Sequence, residues 1–223
     1  MAKPRKKTRI EDIRRDELIM AAHRVFLSHG LPGLTTARIC AEAGMSPGIL
    51  AYYFKGKEDA LFEMVRYNNR VLMEDIVARM RRATSAWDRL IAVIEGNFPD
   101  AAYHRAQANA WVSVVSAAGT NAEFARLQRY FYGRLSSNLA SALRPVMTAD
   151  QARPLILAIG AMIDGLWVRK ASGEQVGRQE AVGVILIQIS NSLGRDAIQS
   201  LKNRAPTFFY TAPTSRSESF RGL

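Results

Sequence analysis

The chain has 223 residues, 48% of them apolar, with 31 Lys and Arg against 20 Asp and Glu and a formal net charge of +11. That is apolar material enough for a buried core in one large or two small domains, while a single cysteine, Cys40, rules out an intrachain disulfide framework or a cysteine-built zinc site. A balance this basic points to a polyanionic partner, either nucleic acid or an anionic membrane surface.

Strand signals are scarce and helical periodicity recurs, so the expected fold is all-α with about nine helices. The N-terminus, MAKPRKKTR, is basic but no apolar stretch follows it, which is not the pattern of a secretory signal. Residues 1–13 read as a flexible basic arm whose Lys3, Arg5, Lys6, Lys7 and Arg9 can follow a phosphate backbone or minor groove. The first helix is predicted from Arg14 to His29, with Leu18, Ala22, Val25 and Phe26 inward and Gly30 as its stop. From Met1 to Lys57, eleven Lys and Arg stand against five acids, so over half of the net charge lies in a quarter of the chain.

Residues 35–57, TTARICAEAGMSPGILAYYFKGK, carry the most specific pattern. Thr35 or Thr36 supplies a hydroxyl N-cap. Ile39, Cys40 and Ala43 share one face of a short helix, and Gly44 permits the positive φ that ends it. Ser46 reads as a second N-cap with Pro47 at the first helical position. A second helix, about Pro47 to Phe54, buries Ile49 or Leu50 together with Phe54, and keeps Ser46, Gly48 and Ala51 small toward another surface. Two helices joined by a Gly-containing turn match the helix-turn-helix unit, whose second helix enters the major groove. Ser46, Pro47, Gly48 and Ile49 would form its tip, leaning on thymine methyls and DNA shape for specificity. Tyr52, Tyr53, Lys55 and Lys57 would reach phosphates, with one tyrosine partly in the core. Arg38, opposite Ile39 and Cys40, would reach a phosphate or a guanine edge.

Glu58 and Asp59 open a long helix carrying Leu61, Val65, Leu72, Ile76 and Met80 and fading near Arg82. Trp87, Leu90, Ile91, Ile94 and Phe98 form the next stripe, ended by Pro99. A helix from Tyr103 to Ala118 contains Trp111. Phe124, Leu127, Phe131, Leu135 and Leu139 mark another, up to Pro145. Thr148 and Gln151 have capping-box spacing and begin a helix to about Ala171, stopped by Gly173. The last runs from about Gln179 to Ser200. Residues 203–223 lack pattern and read as a disordered tail with an unexplained aromatic cluster, Phe208, Phe209 and Tyr210. Residues 14–57 thus form a basic DNA-binding head and residues 58–202 a more apolar body.

Within the body, Asp164 interrupts the apolar run LILAIGAMIDGLWV. A carboxylate there must be paired, hydrogen-bonded or open to a cavity. One reading makes it the anchor of a cationic ligand, with Trp167, Trp111, and more weakly Phe98 and Tyr103, as aromatic walls of the kind that hold quaternary ammonium groups. The other pairs it with Arg169, Arg134 or a helix cap and leaves the tryptophans as core. Gly160, Ala161 and Gly165, with the apolar face of the last helix, suggest a two-fold seam between subunits.

The residues Thr35-Thr36, Ile39-Cys40, Ala43-Gly44-Met45-Ser46, Gly48, Tyr52-Tyr53-Phe54, Lys57-Glu58 and Leu61 resemble the tetracycline-repressor (TetR) family of bacterial transcription regulators. That resemblance implies an all-helical homodimer, each subunit with a three-helix head for double-stranded DNA and a body that binds a small effector and the other subunit. It also implies that the effector changes the spacing of the heads. Gly96-Asn97-Phe98, Ala110-Trp111, Arg126-Leu127-Gln128-Arg129, Leu135, Ser137-Asn138-Leu139 and Ile163-Asp164-Gly165-Leu166-Trp167 resemble the choline-responsive BetI branch. The two blocks cover roughly residues 10 to 200. In that branch further aromatics follow near positions 114 and 115, where this chain has Val114 and Val115.

The expectation is a ligand-responsive repressor on a near-palindromic operator, released by a quaternary ammonium compound such as choline. It is expected to be a soluble cytoplasmic protein, since no stretch of 18 apolar residues is present. No metal or cofactor is expected, and no membrane partner. No G-x-S-x-G, paired metal-ligand spacing or phosphate-cradling loop supports an enzyme. The competing reading is a basic helical module that binds nucleic acid or membrane surfaces without an effector.

Overall fold

The computed structural model describes residues 6–206; Lys3, Arg5 and the aromatic cluster Phe208, Phe209 and Tyr210 lie outside them. Nine helices and no strand are found among the described residues: α1 Lys6–Gly33, α2 Thr36–Glu42, α3 Ile49–Tyr53, α4 Lys57–Arg82, α5 Ala86–Gly96, α6 Arg105–Ala118, α7 Ala122–Leu143, α8 Ala149–Ser172 and α9 Arg178–Asn203. None is long and apolar enough to cross a membrane.

Most boundaries follow from capping chemistry. Thr35 accepts the Arg38 N–H at 3.3 Å and starts α2. Ser85 and Asp88 cap each other at the start of α5, through Asp88 N–H to Ser85 Oγ at 3.0 Å and Ser85 N–H to Asp88 Oδ2 at 3.1 Å. Hydrogen bonds from Thr84 and then Ser85 hold the Asp88 carboxyl below its ordinary range. Thr148 and Gln151 form the reciprocal pair expected from their spacing. Gly173, at φ 97°, closes α8 in the left-handed conformation that glycine tolerates.

Three boundaries depart from the sequence reading. Residues 6–13, expected within a flexible arm, are the first turns of α1. Lys, Arg and Glu are good helix formers, but Ile10 and Ile13 are 58% and 50% exposed, so no buried face gave periodicity a signal. Gly30 (φ 65°) does break the helical path, yet a further turn follows through Gly33. Gly194 (φ 76°) kinks α9 inside what reads as one periodic run.

Two cores result. One gathers Leu18, Ala22, Phe26, Leu34, Ile39, Cys40, Leu50, Phe54, Met64 and Val65, fixing α1, α2, α3 and the start of α4. Ala110 and Phe124, from α6 and α7, belong to the same cluster, so the head is seated on the body through continuous packing. The other core gathers Ile76, Leu90, Val93, Ile94, Phe98, Leu139, Leu143, Ile159, Ile163, Ile185 and Ile189 from α4, α5 and α7–α9, with Phe98 from the segment after α5. A side chain at Gly96 would lie 2.5 Å from Ile76 Cγ1, so the close approach of α5 to α4 requires glycine there.

Candidate DNA interface and effector site

The head exposes one polar, small-residue surface. Thr36, Arg38, Ser46, Pro47, Gly48, Tyr52, Lys55 and Lys57 are exposed, while Thr35, Ile49 and Tyr53 are half-buried. Behind them Ile39, Cys40 and Leu50 are sealed. Of the alternatives Ile49 and Leu50, it is Leu50 that fills the core, at 1% exposure. Of the two tyrosines, Tyr52 is 67% exposed, and Tyr53 packs against the core and meets the Tyr52 ring edge-on at 4.9 Å. Gly44 has the predicted positive φ, 65°.

The recognition element is shorter than expected. α3 begins at Ile49, with Gly48 as its N-cap and no side-chain cap. Ser46 therefore does not cap a helix starting at Pro47. Its carbonyl accepts the Ile49 N–H at 3.0 Å, and Ser46-Pro47-Gly48 form an exposed turn leading into the helix. Pro47 donates no hydrogen bond, but its carbonyl accepts the Cys40 thiol at 3.6 Å, tying the turn to α2.

Several candidate DNA contacts have partners within the head. Arg38 Nη1 donates to the Gly33 carbonyl at 3.0 Å, bracing the end of α1. The Lys57 ammonium lies 3.9 Å from Glu58. The Lys55 N–H donates to Asp59 at 2.9 Å, which leaves the Lys55 side chain exposed beside the start of α4. The Tyr52 hydroxyl donates to Glu11 at 3.1 Å, and this bond raises its pKa above the ordinary tyrosine value. The sequence reading missed Glu11, which lies on a stretch of α1 that it treated as arm.

In the body the five effector candidates fall into two groups. Phe98, Tyr103 and Trp167 form one aromatic cluster: Phe98 stacks on Trp167 with centroids 6.2 Å apart, and Tyr103 meets Phe98 and Trp167 edge-on at 5.2 and 5.0 Å. The indole Nε1 of Trp167 donates to the Asn97 carbonyl at 3.1 Å. The Lys170 ammonium sits 5.2 Å from the centre of the Tyr103 ring, so a cation of this chain already occupies one aromatic face. The Tyr103 hydroxyl is buried and has no partner among the described residues.

The second group centres on Asp164. Its carboxylate accepts the Tyr132 hydroxyl at 2.7 Å, and that hydroxyl accepts from Gln128 Nε2 at 3.0 Å. Arg169, one partner considered from sequence, instead lies 2.7 Å from both oxygens of Glu174. Burial lifts the Asp164 carboxyl above the ordinary carboxylate value, and the Tyr132 bond only offsets it. Burial, and then the bond to Asp164, push the Tyr132 phenol up to about 12. Trp111 packs on Phe131 at 5.6 Å, and Phe131 meets Tyr132 at 6.1 Å. Asp164 and Trp167, three residues apart, thus address different helices: Asp164 faces α7 and Trp167 the end of α5. Tyr132 and Gln128 were missed by sequence, although two polar residues at i, i+4 beside the apolar positions 131 and 135 of α7 are the readable sign. Among the described residues no cluster of His, Cys, Asp and Glu could hold a metal ion.

α6 joins the two regions. It packs on α8, which carries Asp164, and on α1 of the head. His104 caps α6 through Nδ1, which accepts the Gln107 N–H at 3.3 Å. Gln107 Oε1 lies 3.3 Å from Nε2 of His23 on α1. Burial lowers the His23 pKa below its ordinary value. Val114 lies at the head joint, in an apolar crevice with Phe26, Leu31, Leu61, Ser113, Ala117 and Phe124.

Two family models match this chain. Residues 18–64 match the family described as bacterial regulatory proteins, tetR family, and residues 86–193 match the BetI-type transcriptional repressor C-terminal domain. The HTH-type transcriptional regulator BetI of Brucella suis is 35% identical over 167 residues, covering 75% of this chain and 84% of the relative. BetI of Cronobacter sakazakii is 34% identical over 184 residues, covering 82% and 91%. A transcriptional regulator from Saccharomonospora viridis, solved in complex with choline, has the same fold with TM-score 0.73 at 23% identity, covering 80% of this chain and 96% of that one. A TetR transcription regulator from Haloarcula marismortui gives TM-score 0.70 at 18% identity, covering 82% and 97%. With a head that offers polar and basic groups around a short exposed helix, and a body matched along most of its length, the chain belongs to the tetR family of bacterial transcriptional regulators, in the group with a BetI-type C-terminal domain, and is not an enzyme.

Proposed function

We propose that the protein is a repressor that binds a near-palindromic operator as a homodimer and releases it when a quaternary ammonium effector such as choline enters the body. The observation that carries the DNA half is the contrast across α2 and α3. Every large apolar side chain behind them is buried, while Thr36, Arg38, Ser46, Pro47, Gly48, Tyr52, Lys55 and Lys57 face solvent. Such a surface suits phosphate positioning and close groove approach.

The dimer half rests on the body's outer face. Leu157 is 74% exposed on α8, in line with Ala161, Gly165 and Val168, and Ile187 and Val184 are exposed on α9. Contiguous apolar exposure with small residues at its centre is what a helix-on-helix subunit contact requires. Gly160, by contrast, faces inward, where a Cβ added to it would lie 4.0 Å from Leu135 Cδ2, and serves packing inside the subunit.

The effector half rests on the half-buried Asp164–Tyr132–Gln128 chain, flanked by Phe131 and Trp111. A buried carboxylate with a raised pKa gains most from an incoming cation, and the choline-bound relative supplies the chemical class. Phe98, Tyr103 and Trp167 are proposed as the adjoining wall, where the unpartnered Tyr103 hydroxyl oxygen can accept a hydrogen bond from a ligand hydroxyl. An effector held by α8 and α7 would act on the head through α6, by as much as its affinity differs between the two head spacings.

The test is an anisotropy titration of a palindromic promoter duplex with and without choline chloride. Two subunits per duplex, steep salt dependence and release by choline are expected. Binding that ignores sequence would favour the effector-free basic module instead, and an unmoved titration on adding choline would exclude that effector.

A further inference from the structure

The Tyr52 hydroxyl stands on the exposed side of α3, and its hydrogen-bond partner is the carboxylate of Glu11 on α1, 3.1 Å away. A phenol has one proton to donate. While that proton goes to Glu11 it cannot go to a DNA phosphate. Other acids of the head do different work: Glu17 pairs with Arg14, Glu42 with Arg24, Glu63 with Arg15 and Arg66, and Asp59 caps the Lys55 N–H. Glu11 directs its charge at a neutral donor on the recognition helix. Nor does packing require this tie, since Ile10 and Ile13 beside it are largely exposed.

We propose that Glu11 is an affinity gate on the DNA face: it holds the Tyr52 proton in the free protein and repels the phosphate that would take it. This rests on the reading of Tyr52 as a phosphate contact. Operator binding must then exchange a carboxylate acceptor for a phosphate acceptor, with two anions left close together. A head built this way binds DNA more weakly than its cations alone allow, so that release by an effector needs a smaller shift between states.

The experiment uses the full chain and a duplex selected by the wild-type protein from a randomised library. Wild type, Glu11→Gln, Tyr52→Phe and the double variant are compared by anisotropy across a salt series. Glutamine keeps an acceptor for Tyr52 but a weaker, uncharged one. Glu11→Gln should tighten binding about threefold at low salt, the gain fading as salt screens the charge. In the Tyr52→Phe background the gain should be smaller, because no proton is contested. Unchanged or weaker binding by Glu11→Gln overturns the gate, as does an equal gain in both backgrounds. A wild-type protein that selects no duplex brings down the DNA reading, and the gate with it; a wild type that binds normally alongside a neutral Glu11→Gln brings down the gate alone.

Discussion

The head and the body solve opposite problems with the same helices. In the head Ile39, Cys40 and Leu50 of α2 and α3 are sealed and Ile49 is half-buried, and most of what these two helices leave outside is polar, small or charged. In the body a carboxylate and a phenol lie half-buried, and Leu157, Val168, Val184 and Ile187 stand in solvent. A surface that must meet a charged polymer can be polar because its partner is wet and anionic. A surface that must meet another helix, or a cavity that must hold a cation, breaks the usual partition of apolar inside and polar outside. Under the function proposed above, departures from that partition mark the effector site and the subunit seam of the body, whereas the DNA face of the head follows the partition.

Emptying the head's core should produce the largest effect. Leu50 is fully buried, and Leu50→Ala should cost about 2–5 kcal/mol. Because Ala110 and Phe124 of the body share that core, urea unfolding followed by fluorescence should stay a single transition. Two resolved transitions would mean that the regions are energetically separate despite their contact.

Placing a charge on the body's outer face should affect assembly and leave the fold intact. Ile187→Glu should give a monomeric mass by light scattering and weaken operator binding roughly a hundredfold, through loss of two-site engagement. A dimer that survives would move the seam off α9.

Asp164→Asn separates ligand response from stability. Choline should no longer release the operator. The sign of the stability change follows from the raised pKa: the folded state holds the proton more tightly than the unfolded chain, so ionisation penalises folding at pH values above the folded pKa. The penalty disappears as pH falls toward the unfolded value of 3.8. The variant should melt higher than wild type at neutral pH and match it in acid.

Lys55→Ala should weaken binding evenly across sequences and reduce the salt slope by about 1, without altering choline release. A change of sequence preference would instead assign Lys55 to a base edge.

The smallest effect concerns the joint between the regions. Burial lowers the His23 pKa, so its neutral form contributes stability that is present above the unfolded value of 6.5 and lost as pH falls through the lowered folded value. Arg24 and His104 add repulsion of the same sign. His23→Gln should flatten the decline in melting temperature between pH 6.5 and the lowered folded value, and an unchanged decline would place the acid sensitivity elsewhere.

Local chemistry carried much of this structure. Thr35, Gly44, Gly173 and the Thr148–Gln151 pair act where the sequence put them, because capping needs residues within one turn. Leu18, Val25, Phe26 and Ile39 were readable as core from spacing alone. What sequence could not supply was any relation between distant helices. Whether Ser46 capped a helix depended on where α3 began. Whether Asp164 met an arginine or Tyr132 depended on how α7 lies against α8, and whether Tyr52 was free depended on an α1 that starts at Lys6. Residue order determined the helices, their caps, the basic head and the family pattern, because those signals act over one or two turns; which polar groups meet was decided by the approach of the start of α1 to Tyr52 on α3 and by the packing of α7 on α8, since a hydrogen bond of about 3 Å forms or fails on a crossing geometry that no local pattern encodes.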